Sequence, residues 1–258
     1  MYIIQQKKMS QDAYMTIIFD PNVADKTSVK YERKNIYPAL TDGDASVSGS
    51  IKWAFAEWFK GGTDRAAVEA TNGPIGEWNT SQVTDMQQLF FMAPTFNTFN
   101  EDISNWDVSN VTDMTEMFWS ASEFNQPLSN WDTSSVTDMS KMFYSAMAFD
   151  QDISTWNVSN VISMLSMFKH TPFNQSLSTW NVSNVTDMNC MFQYASAFNQ
   201  DISTWDVSNV TGMNKMFQYA TAFDQDISDW NVSGVSTTQM LTGSGIEGDS
   251  SKHPQGYS

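Results

Sequence analysis

The chain has 258 residues, with 13 basic against 29 acidic side chains and a formal net charge of −16. A surface this acidic repels phosphate backbones and anionic headgroups, which argues against nucleic-acid and membrane-surface partners. The single cysteine, Cys190, excludes an internal disulfide, and the longest apolar runs fall short of a membrane span.

Residues 1–47 read as an N-terminal arm. Two apolar segments, Tyr2–Ile4 and Tyr14–Phe19, flank KKMSQD and are expected to pair as strands. The opening MYIIQQKKMSQ has no secretory-leader pattern, so no signal peptide is expected here. Residues 48–77 read as a capping helix and entry loop. Ile51, Ala54, Phe55, Trp58 and Phe59 fall on one helical face, with Ser48 or Ser50 as N-cap and Gly61 as C-cap.

Residues 78–241 carry a seven-copy repeat of about 25 residues, each copy opening on a tryptophan: Trp78, Trp106, Trp131, Trp156, Trp180, Trp205 and Trp230. A fixed period of this size marks a stacked array whose units bury their apolar faces against their neighbours. With the tryptophan as position 1, apolar residues recur at positions 6, 9, 12, 13 and 16, as in Val111, Met114, Met117, Phe118 and Ala121. Those gaps predict a short helix. Asn110 with Asp113, Ser135 with Asp138 and Asn184 with Asp187 supply its N-cap and first-turn acid. The segment around Ile153, Trp156 and Val158 predicts a short strand. The expected fold class is therefore an α/β solenoid, a right-handed leucine-rich-repeat-like array of short parallel strands and helices with an N-terminal capping helix. The first copy carries three extra residues around Pro94–Asn97, the sixth has Gly212 in the acid slot, and the last decays after Val235. Residues 242–258, TGSGIEGDSSKHPQGYS, form a Gly/Ser-rich tail of disordered composition.

The candidate binding surface is an outward polar ladder. Its first column is Asn79, Asp107, Asp132, Asn157, Asn181, Asp206 and Asn231, and Thr155, Thr179 and Thr204 run beside it. The plainer reading is a solvated row bonded between rungs. The acidic pairs Asp150/Asp152 and Asp224/Asp226, with Asn199/Asp201 in register, suit turn chemistry better than calcium, which wants six to eight oxygens. Catalysis finds no constellation. The histidines are His170 and His253, neither HExxH nor CxxC occurs, and GSGIEG lacks the lysine of a phosphate loop. No catalytic residue, metal or cofactor is expected.

The consensus W-[DN]-V-S-N-V-T-D-M-x-x-M-F-x-x-A-x-x-F-[ND]-Q-D-I-S resembles the BspA-like leucine-rich-repeat surface proteins, which include the Mycoplasma-type surface-protein repeat. The resemblance covers about Trp78 to Gln239. It implies a role in adhesion or ligand binding at a surface, with no shared enzymatic activity and no catalytic residues to carry over.

The function expected is non-enzymatic recognition or adhesion, with a protein or glycan partner on a cell or particle surface. The alternative is a structural or decoration subunit of a large assembly such as a virion, attached through residues 1–47 and 242–258. Either reading places the chain outside cells or on a virion surface, without membrane insertion, and allows homo- or hetero-oligomers.

Overall fold

The computed structural model describes residues 37–90 and 96–257, and the backbone of three strands nearer the N-terminus. Those strands, β1 (Ile3–Lys8), β2 (Tyr14–Phe19) and β3 (Lys30–Glu32), form an antiparallel sheet in chain order. Ile3 pairs with Phe19 and Ile17 with Tyr31. The two apolar segments of the arm thus do meet as strands. The inserted residues expected around Pro94–Asn97 fall partly outside the described residues.

Residues 37–50 are not a free arm. Leu40 is buried, its N–H donates to the Asn79 carbonyl at 2.8 Å, and the Asp42 carboxylate accepts the N–H groups of Thr84 and Asp85. This segment is a rung laid ahead of the first repeat. Helix α1 (Ile51–Lys60) follows. The Ser50 hydroxyl accepts the Trp53 N–H at its start, and Gly61, at φ 71°, ends it. Its apolar face is buried on the first repeat, with the Phe55 ring 4.5 Å from Phe90 and 6.3 Å from Trp78. A second helix, α2 (Gly62–Asn72), begins at once where the sequence suggested only a loop. It ends at Gly73, φ 76°, where any Cβ would collide with the Tyr37 ring.

From 78 to 241 the described residues contain neither an α-helix nor a β-strand, which overturns the expected α/β solenoid of strands and helices. Successive rungs are joined instead by one parallel bridge each, running Asp85, Asp113, Asp138, Ser163, Asp187, Gly212, Ser236. The cause is local. From the second unit to the sixth, two residues four apart adopt left-handed backbone, as at Glu116 and Ser120 (both φ 57°), Lys141 (54°) and Ser145 (56°), or Cys190 (58°) and Tyr194 (60°). An α-helix needs negative φ throughout and i→i−4 bonds. Here the left-handed residue swings its N–H sideways to the next rung, Glu116 to the Ser140 carbonyl at 2.9 Å and Ser120 to Tyr144 at 2.7 Å. The residues after them close tight turns, Met117 on Met114 and Ala121 on Phe118. The apolar gaps of three are real, but they count turns. The expected helix caps are corrected with the helix: the Asn110 amide donates to the Ser81 carbonyl one rung back, and the Asp113 carboxylate accepts the Thr115 N–H. The expected strand is likewise a turn, with Trp156 N–H bonded to the Ile153 carbonyl.

The core is a set of continuous columns. Phe118, Phe143 and Phe168 stack face to face, 5.3 and 5.8 Å apart, as do the tryptophans, with Trp131 and Trp156 6.3 Å apart and 5° from parallel. Val111, Met114, Met117, Phe118 and Ala121 are fully buried. Each rung therefore supplies the wall of the next, as the period required. Gly212 stands where the Asn189 side chain leans over the bridge, leaving no room for a Cβ.

The tail, whose composition suggested disorder, is folded back as a closing rung. Asn231 bridges to Gln255, Val232 N–H reaches the Gln255 carbonyl at 2.9 Å, and Ile246 is fully buried.

Candidate functional site

A regular stack presents the same unit position at every rung, so each face is a column of like side chains. Three columns bear polar or aromatic groups.

The first holds the ladder singled out from the sequence. Asp107, Asp132, Asn157, Asn181, Asp206 and Asn231 are exposed, and Asn79 is half-buried. Each accepts, through its own side-chain oxygen, the N–H two residues on. Asp132 takes Ser134 at 3.0 Å and Asn157 takes Ser159 at 3.1 Å, with the same bond at Asn79, Asp107, Asn181, Asp206 and Asn231. These are Asx turns, which begin the tight turn after the tryptophan. The hydrogen bonds from Ser134 and Ser208 hold the Asp132 and Asp206 carboxyls below the usual carboxylate range. Beside them, the Thr155 and Thr179 hydroxyls donate to the Ser129 and Ser154 carbonyls one rung back, and Thr204 stands in the same column. The ladder is brought together as a column, and its hydrogen-bonding groups are largely engaged within the chain.

The acidic pairs behave likewise. Asn100, Asn125, Asp150, Asn174 and Asn199 each accept, through a side-chain oxygen, the N–H of the equivalent residue one rung on. Asp152, Asp201 and Asp226 accept from the serine two residues on. Among the described residues no three His, Cys, Asp or Glu side chains converge as a metal site.

The third column was missed from the sequence. Trp119, Tyr144, His170, Tyr194 and Tyr219 follow one another on five consecutive rungs. Ring centroids are 5.7, 6.1, 4.5 and 5.0 Å apart in that order. Tyr194 and Tyr219 are 40% and 42% exposed, and the other three are half-buried. All three lysines of residues 78–241 share this side: Lys141 Nζ lies 5.4 Å from the Trp119 ring, Lys169 Nζ 5.2 Å from the Tyr144 ring, and Lys215 repeats the unit position of Lys141. The column was hidden because its residues change slot. Trp119 and Tyr144 directly follow the core phenylalanine, whereas His170, Tyr194 and Tyr219 come one later, at the left-handed position.

A polar row runs along the same side. The Glu116 carboxylate accepts from Gln88 and Lys141, both at 2.7 Å, while Gln193 donates to Gln218 and Gln218 to Gln239. Burial pushes the Glu116 carboxyl up, but the Lys141 and Gln88 hydrogen bonds and the Lys141 charge outweigh it and hold it below its usual range. The His170 imidazole is held low by burial and by the Lys169 charge.

At the helical end, a cavity of about 260 Å³ opens between Trp58, Phe59, Arg65, Phe99 and Glu101. Arg65 stacks 3.9 Å over Trp58 and is paired with Glu69. Among the described residues no helix is long and apolar enough to cross a membrane.

A family model described as "Mycoplasma protein of unknown function, DUF285" matches residues 57–175 and 155–246, which takes in α2 and the seven repeats between 78 and 241. No curated protein and no solved structure matches the chain.

Proposed function

The chain belongs to the Mycoplasma-type repeat family DUF285, and on that premise we propose that it is a non-enzymatic recognition or adhesion protein, akin to the BspA-like surface proteins, displayed outside a cell or on a particle. The observation that carries the reading is the aromatic column from Trp119 to Tyr219, partly exposed along an otherwise polar and acidic stack. Contiguous exposed rings are costly to keep in water and mark binding surfaces, and Trp and Tyr dominate the energetics of recognition patches. A stack of interlocked rungs also suits a rigid platform, because each face keeps its spacing without help from a ligand.

A catalytic role finds little to work with. The imidazole of His170 is stacked on Tyr194, and that of His253 bonds to the Ile246 carbonyl against Tyr257. In the decoration-subunit alternative the tail would attach as a folded rung, since Lys252 is bonded to Asp224 and the Gln255 N–H to the Trp230 carbonyl.

The test is saturable binding of the labelled full chain to intact source cells or particles and to their separated protein and glycan fractions. Saturable binding to one fraction supports recognition. Absence of saturable binding to all of them overturns it.

A further inference from the structure

We propose that Tyr194 and Tyr219 are an oxidative coupling site. Under a one-electron oxidant, such as a peroxidase supplies, the two phenols join as dityrosine and staple the fifth rung to the sixth. The inference goes beyond the recognition reading and does not depend on what the surface binds.

The backbone sets the pair. Both residues stand at the second left-handed position of their unit, with φ 60° and 59°, so their side chains leave the stack in the same direction. The Tyr194 N–H donates at 2.8 Å to the carbonyl of Gln218, the residue before Tyr219, and the Tyr219 N–H donates to the Thr242 carbonyl, also at 2.8 Å. Main-chain bonds on both sides thus hold the two residues one rung apart. Their rings lie 5.0 Å apart and 25° from parallel, and the residues are 40% and 42% exposed.

Neighbours keep the rings face to face. On the preceding rung His170 stacks on Tyr194 at 4.5 Å, 5° from parallel. On the following rung Gly243 repeats the left-handed position, at φ 73°, and a Cβ there would run into the Tyr219 ring. The pair is therefore sandwiched between an imidazole and a bare backbone, with its ring edges open to solvent. Tyr144 is two rungs from Tyr194, and the His170 ring between them is tilted 62° to its own. Along this column the coupling is confined to the fifth and sixth rungs.

The chemistry needs this arrangement. Removing one electron and the hydroxyl proton from tyrosine leaves a phenoxyl radical, whose unpaired electron is shared with the ring carbons ortho to the oxygen. Its half-filled orbital stands perpendicular to the ring, so two such radicals bond first through their faces. One bond forms between an ortho carbon of each ring. The hydrogens on those two carbons then pass as protons, through water, to the two oxygens, which restores both rings. The net loss is two electrons, taken by the oxidant, and two protons, taken by water. Exposure admits the oxidant and gives the joined rings room to turn about the new bond. The staple links residues 25 apart in sequence, which restricts the unfolded chain.

Illumination of the full chain at micromolar concentration with ruthenium tris(bipyridyl) and persulfate tests this, read by dityrosine emission, reducing gel and peptide mass spectrometry. The expected product is a monomer two hydrogens lighter, with Tyr194 and Tyr219 in one cross-linked peptide and a raised urea midpoint. It should exceed cross-linked dimer by at least about a hundredfold, because a tethered partner reacts as if at millimolar concentration or above. Tyr194→Phe and Tyr219→Phe keep the ring stack and should each abolish the monomer's dityrosine emission with unchanged circular dichroism, whereas Tyr144→Phe should leave it. Unfolding in urea before illumination should cut it at least about tenfold, since the rings are then no longer held together. Dimer as the main product overturns the proposal, as does emission that survives in either of the first two variants or is lost in the third. Equal emission from the unfolded chain, or none from the folded one, overturns it as well.

Discussion

The indole N–H of Trp156 donates to the backbone carbonyl of Leu128, 2.9 Å away and one rung earlier. That carbonyl already accepts the Trp131 N–H, so one oxygen closes its own turn and anchors the following rung. The same bond joins Trp106 to Ile75, Trp131 to Ile103, Trp180 to Ile153 and Trp205 to Leu177. Trp230, at the end of the series, is buried with its indole N–H unpartnered.

Trp156→Phe should therefore cost more than Trp230→Phe. Both changes trim a similar buried ring, but only the first breaks a satisfied hydrogen bond. The Leu128 carbonyl keeps its second partner, which limits the difference to about 1 kcal/mol. Urea melts of the two variants check it, and equal losses would mean that the indole bond does not hold rungs together.

Asp132 separates a turn role from a binding role. Asp132→Asn keeps the side-chain oxygen that caps Ser134, as Asn157 does for Ser159, and should be neutral at pH 7. Asp132→Ala removes the cap and should cost roughly 0.5–1 kcal/mol, the usual scale for losing such a side chain. Because Ser134 lowers the carboxyl pKa, the wild-type contribution is full above 3.8 and is lost as pH falls through the folded value. The asparagine variant should lack that part of the acid dependence in melts taken between pH 5 and 2.

The period, the inward residues and the capping helix were legible because burial repeats in sequence: Val111, Met114, Phe118 and their equivalents all lie in the core. The backbone path between them was not. Apolar gaps of three fit one face of a helix and a run of tight turns equally well, and only the sign of φ separates the two. Nature usually marks positive φ with glycine or asparagine, but here Glu116, Ser120, Lys141 and Cys190 adopt it. Bonds to the next rung hold them there, and those bonds are non-local. The aromatic column was illegible for a related reason. His170, Tyr194 and Tyr219 sit at the left-handed slot while Trp119 and Tyr144 sit one earlier, so no single repeat position lists them. The polar ladder was visible, but its engagement in Asx turns depended on this same backbone.

Ser145 tests the cost of that backbone. Its φ is 56° and its N–H donates to the Lys169 carbonyl at 2.9 Å. Ser145→Gly relieves a left-handed penalty of roughly 1–2 kcal/mol, partly offset by the freer unfolded chain, for a net gain of up to about 1 kcal/mol. Ser145→Val should lose about 1–2 kcal/mol, since a β-branched residue resists positive φ. Thermal melts with the opposite order would show that the turn tolerates any residue.

His170 should make stability depend on pH just below neutrality. Burial and the Lys169 charge lower its pKa from 6.5, so the unfolded chain binds this proton more readily than the folded one. Its contribution is complete above 6.5 and shrinks as pH falls from there through the folded value. The lowered aspartates titrate beneath 3.8 and do not overlap that window. His170→Phe keeps the ring stack with Tyr194 and should flatten the slope of urea stability between pH 7.5 and 5. An unchanged slope would assign the effect to other groups.

The two ends of the stack should respond differently to truncation. Removing 242–258 strips the closing rung. The Val232 and Ile227 N–H groups lose the Gln255 and Lys252 carbonyls, Asp224 loses Lys252, and the fully buried Ile246 is gone. Burial of one such side chain is worth roughly 1.5–3 kcal/mol, and the newly wetted Trp230 and Val232 add to it, so residues 1–241 should be less stable by at least about 3 kcal/mol. Removing 1–36 leaves the Leu40–Asn79 bond and the Asp42 cap on Thr84 in place, because both lie on the retained side. Residues 37–258 should therefore melt as the whole chain does. Urea denaturation of both fragments decides it, and a stable 1–241 beside an unstable 37–258 would move the structural closure of the stack from its tail to its N-terminal sheet.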